Sequence, residues 1–593
     1  MCGICGELRL DNNHPDFAAV SRMTDALARR GPDHAGHFSD GPLALGHRRL
    51  AVIDLSEHSN QPLVDHELRL ALVFNGTIYN YHELRAELSA RGYHFFSDGD
   101  SEVILKAYHA WGEDCVPRFN GMFAFAIWDM HAARLFLARD RSGIKPLYYA
   151  LDRQRLRFAS TSQALLAAGG VDTSLDAFAL HHHLTLHGVV PAPRTILKGI
   201  RKLPPATTLT FHTDGSHQFH TYWQLEAKRP STAKSEQDWL DELHVALRQS
   251  VKRQSSTADV PVGVLLSGGL DSSLLVGLLA ESGVRDIHTF SIGFEDIDDQ
   301  KADEFEYSDQ IVERFQTLHH RYRIPNSEVL ARLPEAVAQM SEPMVGQDAV
   351  AFYLLAERVA REDKAVLSGQ GADEVFAGYF WYPRMQAELG LPIQRFAKHY
   401  FDRTHAEFLQ TVERELHTPD ATSHFIAHRL SLSGADTFMD QVLRLDATTL
   451  IVDDPVKRVD NMTMAWGLEA RVPFLDHELI ELAARMPPEL KLKEGGKFPL
   501  KAIARGLIPD SIIDRPKGYF PVPALQYVRG GFLDLMRDTL NSNTCRNRGL
   551  FQRAYVDKLL AAPEAHFTAI RGAKLWHLSL LELWLQRNVD GTA

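Results

Sequence analysis

The stretch VPVGVLLSGGLDSSLLVGLLAESG (260–283) constrains this chain more than any other: a short apolar strand, a glycine-rich turn and an apolar helix follow one another directly. IHTFSIGF (287–294) and KAVLSGQGADEVFAGY (364–379) repeat the strand-then-glycine arrangement, with helical stretches between them. Strands that alternate with helices predict a parallel, doubly wound sheet, because a parallel neighbour is reached only through a crossover. From about 380 onward the pattern is largely helical.

The first two hundred residues have a different texture. LRLALVFNGTIYN (68–80) reads as a strand running into a turn, and YHELRAELSARG (81–92) as an amphipathic helix with a glycine stop. GMFAFAIWD (121–129) and ARLFLARDRSGIKPLYYA (133–150) predict further strands, and TTLTFHTDGSHQFHTYW (207–223) carries an Asp-Gly hairpin signal. The polar run at 226–237 reads as a linker. Two domains are expected, over 2–225 and 237–593, as suits a 593-residue chain too long for one hydrophobic core.

Bulk properties exclude several classes. A formal charge of −12 argues against a dedicated nucleic-acid binder, which carries a basic excess. No apolar run approaches the ~20 residues of a membrane helix, and Glu7 and Arg9 interrupt any signal-peptide pattern. Four cysteines (Cys2, Cys5, Cys115, Cys545) do not make a disulfide framework, so a reducing compartment, the cytoplasm, is expected.

The loop SGGLDSS (267–273) joins a buried strand to a helix, so its glycines and the helix N-terminus suit an anion. It lacks the Gly-Lys-Ser/Thr of a Walker loop and carries Asp271 instead. A second strand-end loop, SGQGADE (368–374), carries Asp373. Taken singly each carboxylate is a helix N-cap; together they favour a shared Mg²⁺ on a pyrophosphate.

With NMTMAWGLEARVPFLD (461–476), these two loops resemble the synthetase half of glutamine-dependent asparagine synthetases, built on the ATP pyrophosphatase fold. The resemblance implies that ATP adenylates a carboxylate and that ammonia then displaces AMP. It assigns Leu266, Ser267, Gly268, Gly269, Asp271, Ser272, Ser273, Ile292, Ser368 and Gly369 to ATP. Asp271 and Asp373 would hold Mg²⁺, and Lys497 would neutralise the α-phosphate.

CGICGEL (2–8) resembles the start of class II, N-terminal nucleophile glutamine amidotransferases, whose fold stacks antiparallel sheets in an α+β domain. RRGPDHAG, LGHRRLAVID, FNGTIYN, GDSEVIL and RDRSGIKPLYY continue that likeness across residues 2–210. With Met1 removed, Cys2 joins a thiol to a free α-amine, whose ordinary pKa of ~7.7–8.0 makes it a base near neutrality. Arg49 suits the glutamine α-carboxylate, Asp100 its α-ammonium, and Asn75 with the Gly76 N–H an oxyanion. Leu50, Ile53 and Thr77 complete the expected glutamine pocket, Thr77 standing where the family often has Glu. A Cys-x-x-Cys pair also suggests zinc, but no second pair follows, so Cys5 reads as a packed core residue.

The departures gather in the second half. Gln370 replaces a usual Glu of the loop, Asn461 a usual Arg, and SEPMVGQDAV (341–350) a more acidic stretch. With RPKGYFPVP (515–523) these resemble a subgroup that amidates N-acetylglutaminylglutamine. Two acceptors therefore stand, aspartate and that capped dipeptide. A silent regulatory relative and a nucleic-acid thiolation enzyme fit less well, since Cys2, Asp271 and Asp373 are present and the chain is acidic. The resemblance alone points to a homodimer acting on small molecules.

Overall fold

The computed structural model of the chain describes residues 2–11, 13–296, 301–516 and 528–591. Most of RPKGYFPVP lies outside the described residues.

Among the described residues, twelve strands form two antiparallel sheets in the first domain. They are β1 (Cys2–Arg9), β2 (His34–Asp40), β3 (Leu43–Arg49), β4 (Leu63–Asp65), β5 (Leu70–Ile78), β6 (Gly121–Asp129), β7 (Arg134–Arg139), β8 (Tyr148–Leu151), β9 (Arg155–Ala159), β10 (Arg201–Lys202), β11 (Thr207–His212) and β12 (His217–Thr221). One sheet has the order β10-β8-β9-β1-β3-β2, the other β12-β11-β7-β6-β5-β4. Ile4, Leu8, Leu45, Val73, Ala126 and Leu137 meet between them, each leucine contributing about 1.5–3 kcal/mol on burial. The outer face of the second sheet carries Leu72, Phe74 and Phe125 against Leu84, Leu88 and Val103 of two helices. Helix Phe17–Ala26 covers the other outer face, with Val20 and Met23 against Ala44.

Successive side chains of a strand point to opposite faces. Cys2 therefore shares a face with Ile4, while Cys5 turns to the helix side, where its thiol meets the Thr24 hydroxyl at 3.4 Å. Burial pushes the Cys5 thiol up to about 12. It is a packed thiol.

The second domain holds a five-stranded parallel sheet of β13 (Val262–Leu265), β14 (His288–Phe294), β15 (Leu318–Ile324), β16 (Ala365–Leu367) and β17 (Glu469–Arg471). Its order is β15-β14-β13-β16-β17. Chain direction across the sheet reverses beside β13: the next two strands lie on one side and the last two on the other. Such a switch point opens a crevice beyond the carboxyl ends of the strands. Val264 pairs with Leu367, so the loops after β13 and β16 emerge level with one another.

The region beyond 380 is largely helical, as expected, and adds one edge strand of three residues, β17. Two of them are charged, and Glu469 and Arg471, both fully buried, offset each other's burial by pairing at 2.5 Å. The polar run at 226–237 is not a loose linker. Ala227 bridges Ala435, Arg229 pairs with Asp440 at 2.6 Å, and a helix begins at Glu236.

The domain interface is rich in buried charge. Asp460 accepts from Arg30 at 2.9 Å and Lys145 at 3.2 Å; Lys202 meets Asp453 at 2.8 Å and Glu342 at 2.9 Å. Among the described residues no helix is long and apolar enough to cross a membrane. Asp460→Asn leaves two buried cations undercompensated, and a loss of about 3–5 kcal/mol is expected, read as a lowered denaturation midpoint; an unchanged midpoint would show that the interface does not depend on this carboxylate.

Candidate functional site

Antiparallel pairing sets Cys2 opposite Arg49. The Cys2 backbone N–H donates to Asn75 Oδ1 at 3.0 Å, and the amide nitrogen of Asn75 is buried with no hydrogen-bond partner among the described residues. That unspent donor beside the thiol suits a developing oxyanion. Gly76 is required where it stands, since a Cβ there would run into the Met122 carbonyl on β6. Burial raises the Cys2 thiol above its ordinary pKa, opposed by the positive chain terminus, the Leu50 N–H and Arg49. A buried neutral thiol needs a base within reach to react.

Arg49 differs from its expected pose. Nη1 donates to the Ser56 carbonyl at 2.7 Å and to Asn60 Oδ1 at 2.8 Å, while Nη2 reaches the Asp54 and Ile53 carbonyls. The fork is engaged by the 53–60 loop, whose carbonyls converge on it, and Nε is the donor left over. Asp100 begins helix Asp100–Trp111, is buried, and accepts the Ile78 N–H at 2.9 Å. Burial pushes its carboxyl up to about 6.

Thr77 Oγ1 donates to Glu469 Oε1 at 3.3 Å. A carboxylate of the second domain thus stands at the glutamine side of the first. Burial would raise the Glu469 pKa, but Arg471, the chain terminus and Lys145 bring it down to about 2. Sequence reading missed Glu469, although its Glu-x-Arg spacing puts both side chains on one face of a strand.

The crevice beside β13 is a cavity of about 720 Å³. Leu266, Ser267, Gly269, Asp271, Ser272, Ile292, Ser368, Gly369, Gln370, Asp373 and Lys497 line it. Ser267 and Ser272 hydroxyls meet at 3.1 Å, and the Gly269 N–H donates to Ser267 Oγ at 3.3 Å. Two predicted residues do not reach the cavity. Gly268 takes a left-handed φ of 74° packed against Tyr307 and Ser308, and Ser273 is fully buried in the first turn of helix Leu270–Glu281.

Lys497 Nζ lies 2.6 Å from Asp271 and 2.7 Å from Asp373. The two carboxylates, from separate loops, converge on one cation, an oxygen donor set that fits Mg²⁺. Burial opposes the Lys497 charge, but Asp271 and Asp373 raise its pKa well above the ordinary value.

The family model for asparagine synthase matches residues 242–586, and that for a glutamine amidotransferase domain residues 1–223. The chain is 31% identical to asparagine synthetase (glutamine-hydrolyzing) 1 of Bacillus subtilis strain 168, over 99% of this chain and 97% of that protein. This chain belongs to the glutamine-hydrolysing asparagine synthetase family. It is 28% identical to asparagine synthetase B of Escherichia coli K12 over 88% of this chain and 82% of that protein. It is also 27% identical to amidase chyE of Penicillium rubens, over 87% of each. The chain is thus a glutamine-dependent ligase, with an N-terminal nucleophile-type domain followed by a parallel-sheet synthetase domain.

Asn461 is buried, lies away from the cavity, and accepts the Ser341 N–H at 2.7 Å. Arg458, one turn earlier on helix Lys457–Met464, faces the cavity and pairs with Asp348 at 2.9 Å and with Asp454. Val345, Gly346, Gln347 and Asp348 of the divergent 341–350 stretch also line the cavity. So does His187, the one lining residue from the first domain among those described. Its long separation from both loops hid it from sequence reading.

Gly378 lies against the Lys497 cluster, and a Cβ there would overlap Asp373 Oδ1 and Lys497 Cε. Gly378→Ala is expected to lower ATP-dependent turnover by about 100-fold, as ångström misplacement of charged groups does, while glutamine hydrolysis persists. Wild-type pyrophosphate release from the variant would show that the cluster is not needed in this arrangement.

Proposed function

We propose that the chain hydrolyses glutamine at Cys2, passes ammonia through the domain interface and amidates a carboxylate activated by ATP. One observation carries this reading: β17 touches both sites. Its Glu469 accepts from Thr77 beside the glutamine pocket, and its Arg471 carbonyl accepts the Ser368 N–H of the nucleotide loop at 2.8 Å.

In this reading, removal of Met1 frees the Cys2 amine, which takes the thiol proton directly or through water. The thiolate attacks the glutamine amide carbon, and Asn75 Nδ2 with the Gly76 N–H hold the oxyanion. Collapse releases ammonia and leaves a thioester, which water hydrolyses to glutamate. Arg49 Nε faces the substrate α-carboxylate, while Asp100 pairs with the α-ammonium; Leu50, Ile53 and Thr77 line the pocket.

At the second site the acceptor carboxylate attacks the α-phosphorus of ATP, releasing pyrophosphate and forming an acyl-adenylate. Lys497 exchanges its carboxylate partners for the α-phosphate, and Ser267 with Ser272 hold the pyrophosphate. Asp271 and Asp373 would hold Mg²⁺, which neutralises the leaving pyrophosphate. Ammonia then attacks the acyl carbon and AMP departs, with Gln370 as a hydrogen-bonding group at the reacting centre.

Aspartate is the acceptor that the relatives' names suggest. A second reading, the capped dipeptide N-acetylglutaminylglutamine, is favoured by the cavity wall. Tyr379, Trp381, Ile570 and Trp576 line it, and Arg458 is already matched by Asp348 and Asp454. That aromatic and aliphatic stretch suits a neutral chain, whereas Lys501, Arg515 and Arg571 elsewhere on the lining are the cations that a second free carboxylate would meet.

The test is pyrophosphate release with ATP, Mg²⁺ and glutamine, comparing the two acceptors, with the product weighed by mass spectrometry. Amidation of the dipeptide alone supports the second reading, asparagine formation the first, and turnover of neither refutes both. Cys2→Ala is expected to lose glutamine-dependent synthesis and keep ammonium-dependent synthesis at near wild-type rate. Failure of added ammonium to rescue a folded variant would refute the division between the domains.

A further inference from the structure

We propose that His187, Asp402 and His577 form a site for a Zn²⁺-class divalent metal ion in the wall of the synthetase cavity. The three residues come from separate parts of the fold. His187 sits in the turn after helix Ala177–Thr185 of the first domain, Asp402 follows helix Pro392–Tyr400, and His577 lies in the first turn of helix Lys574–Asn588.

The donor atoms have metal-site spacing. Asp402 Oδ2 shares a hydrogen bond with His187 Nδ1 at 3.3 Å and lies 3.3 Å from His577 Nδ1, and all three atoms fall within 4.8 Å of one another. Bonds of about 2.0–2.2 Å in a tetrahedral zinc site put neighbouring ligands about 3.3–3.6 Å apart.

Unmet polarity points the same way. The Asp402 and His577 side chains are 0% and 1% exposed. Asp402 Oδ1 and both ring nitrogens of His577 have no hydrogen-bond partner among the described residues. His577 Nδ1 and Asp402 Oδ2 are close enough for a hydrogen bond yet lack its geometry. Leaving one such group unmet costs about 1–3 kcal/mol, and here several meet at one place. A shared cation satisfies the carboxylate and a ring nitrogen together.

A second histidine–histidine–aspartate group gives the contrast. His181 donates or accepts at Thr422 Oγ1 (2.6 Å) and at His405 Nδ1 (3.0 Å), and Asp420 caps Ser423. Its polar atoms are matched within the protein, so nothing there calls for an ion.

Two imidazoles and one carboxylate suit Zn²⁺, Co²⁺ or Ni²⁺ rather than Mg²⁺, which prefers oxygen and water. Gly572 lets the chain close over the rings, since a Cβ there would lie 2.8 Å from His577 Nε2 and 3.1 Å from His187 Cε1. His187 and Gly572 both line the cavity, with Asp402 and His577 buried behind them.

The test uses the full chain, stripped with chelator, equilibrated with Co²⁺ or Zn²⁺ and desalted. Elemental analysis is expected to give one equivalent of metal, and the Co²⁺ form a visible d–d spectrum of low coordination number. His187→Ala and His577→Ala should each lose that equivalent; His405→Ala should keep it. His187 is partly exposed, so its variant guards against a loss of fold, which circular dichroism checks. No stoichiometric uptake by the wild-type chain overturns the proposal. So does uptake that survives both substitutions, or that disappears only in His405→Ala.

Discussion

Asp460 between Arg30 and Lys145 is the contact on which the two-domain arrangement turns. Both cations belong to the first domain and the carboxylate to the second, and all three side chains are almost wholly out of water. Buried ion pairs often contribute little net stability against an apolar alternative, because desolvation offsets the attraction. Their geometric demand is strict, however, and a displacement of an ångström leaves a charge unpaired. Lys202 with Asp453 and Glu342 repeats the device. The interface therefore fixes one docking pose. Arg30 also donates to the Cys2 carbonyl at 3.3 Å, so the strand that carries the thiol is tied to the same contact.

The parallel sheet extends that constraint to the second site. Ser368 leaves β16 with its N–H on the Arg471 carbonyl of β17, and Glu469 on β17 reaches the first domain at Thr77. Because the strand has only three residues, both ends are short levers. A disturbance at Thr77 has few bonds to cross before it meets the loop that carries Gln370.

Much of this was legible in the sequence. Glycine loops at the ends of apolar strands marked the switch-point crevice, and the Asp-Gly signal marked the hairpin between β11 and β12, where Gly215 takes a φ of 85°. Cys2 stands opposite Arg49 across β1 and β3 and its N–H meets Asn75 on β5, while Asp100 is buried at a helix start; their motifs were visible because the strand and helix patterns that carry them are strong. What stayed hidden was set by tertiary packing. β17 is too short and too charged to read as a strand. Arg458, one helical turn before Asn461, faces the cavity that Asn461 does not reach, and only the packed helix reveals this. Gly268 and Ser273 belong to the expected loop, but its curl turns one toward Tyr307 and buries the other. His187 reaches the cavity only because the domains dock.

The connector near 230 bears on how this chain can be divided. Its composition marks it as a linker, yet Ala227 runs parallel to Ala435 and Arg229 covers Asp440, whose side chain is fully shielded. Physically it is a strap belonging to the second half. A fragment begun at 237 would start life with that carboxylate bared and a seam of sheet-like backbone undone, beside an interface already stripped of its counter-charges. Anyone dissecting the enzyme into separate halves would do better to cut upstream of the strap, and to expect that even then each half remembers the other in its unpaired charges.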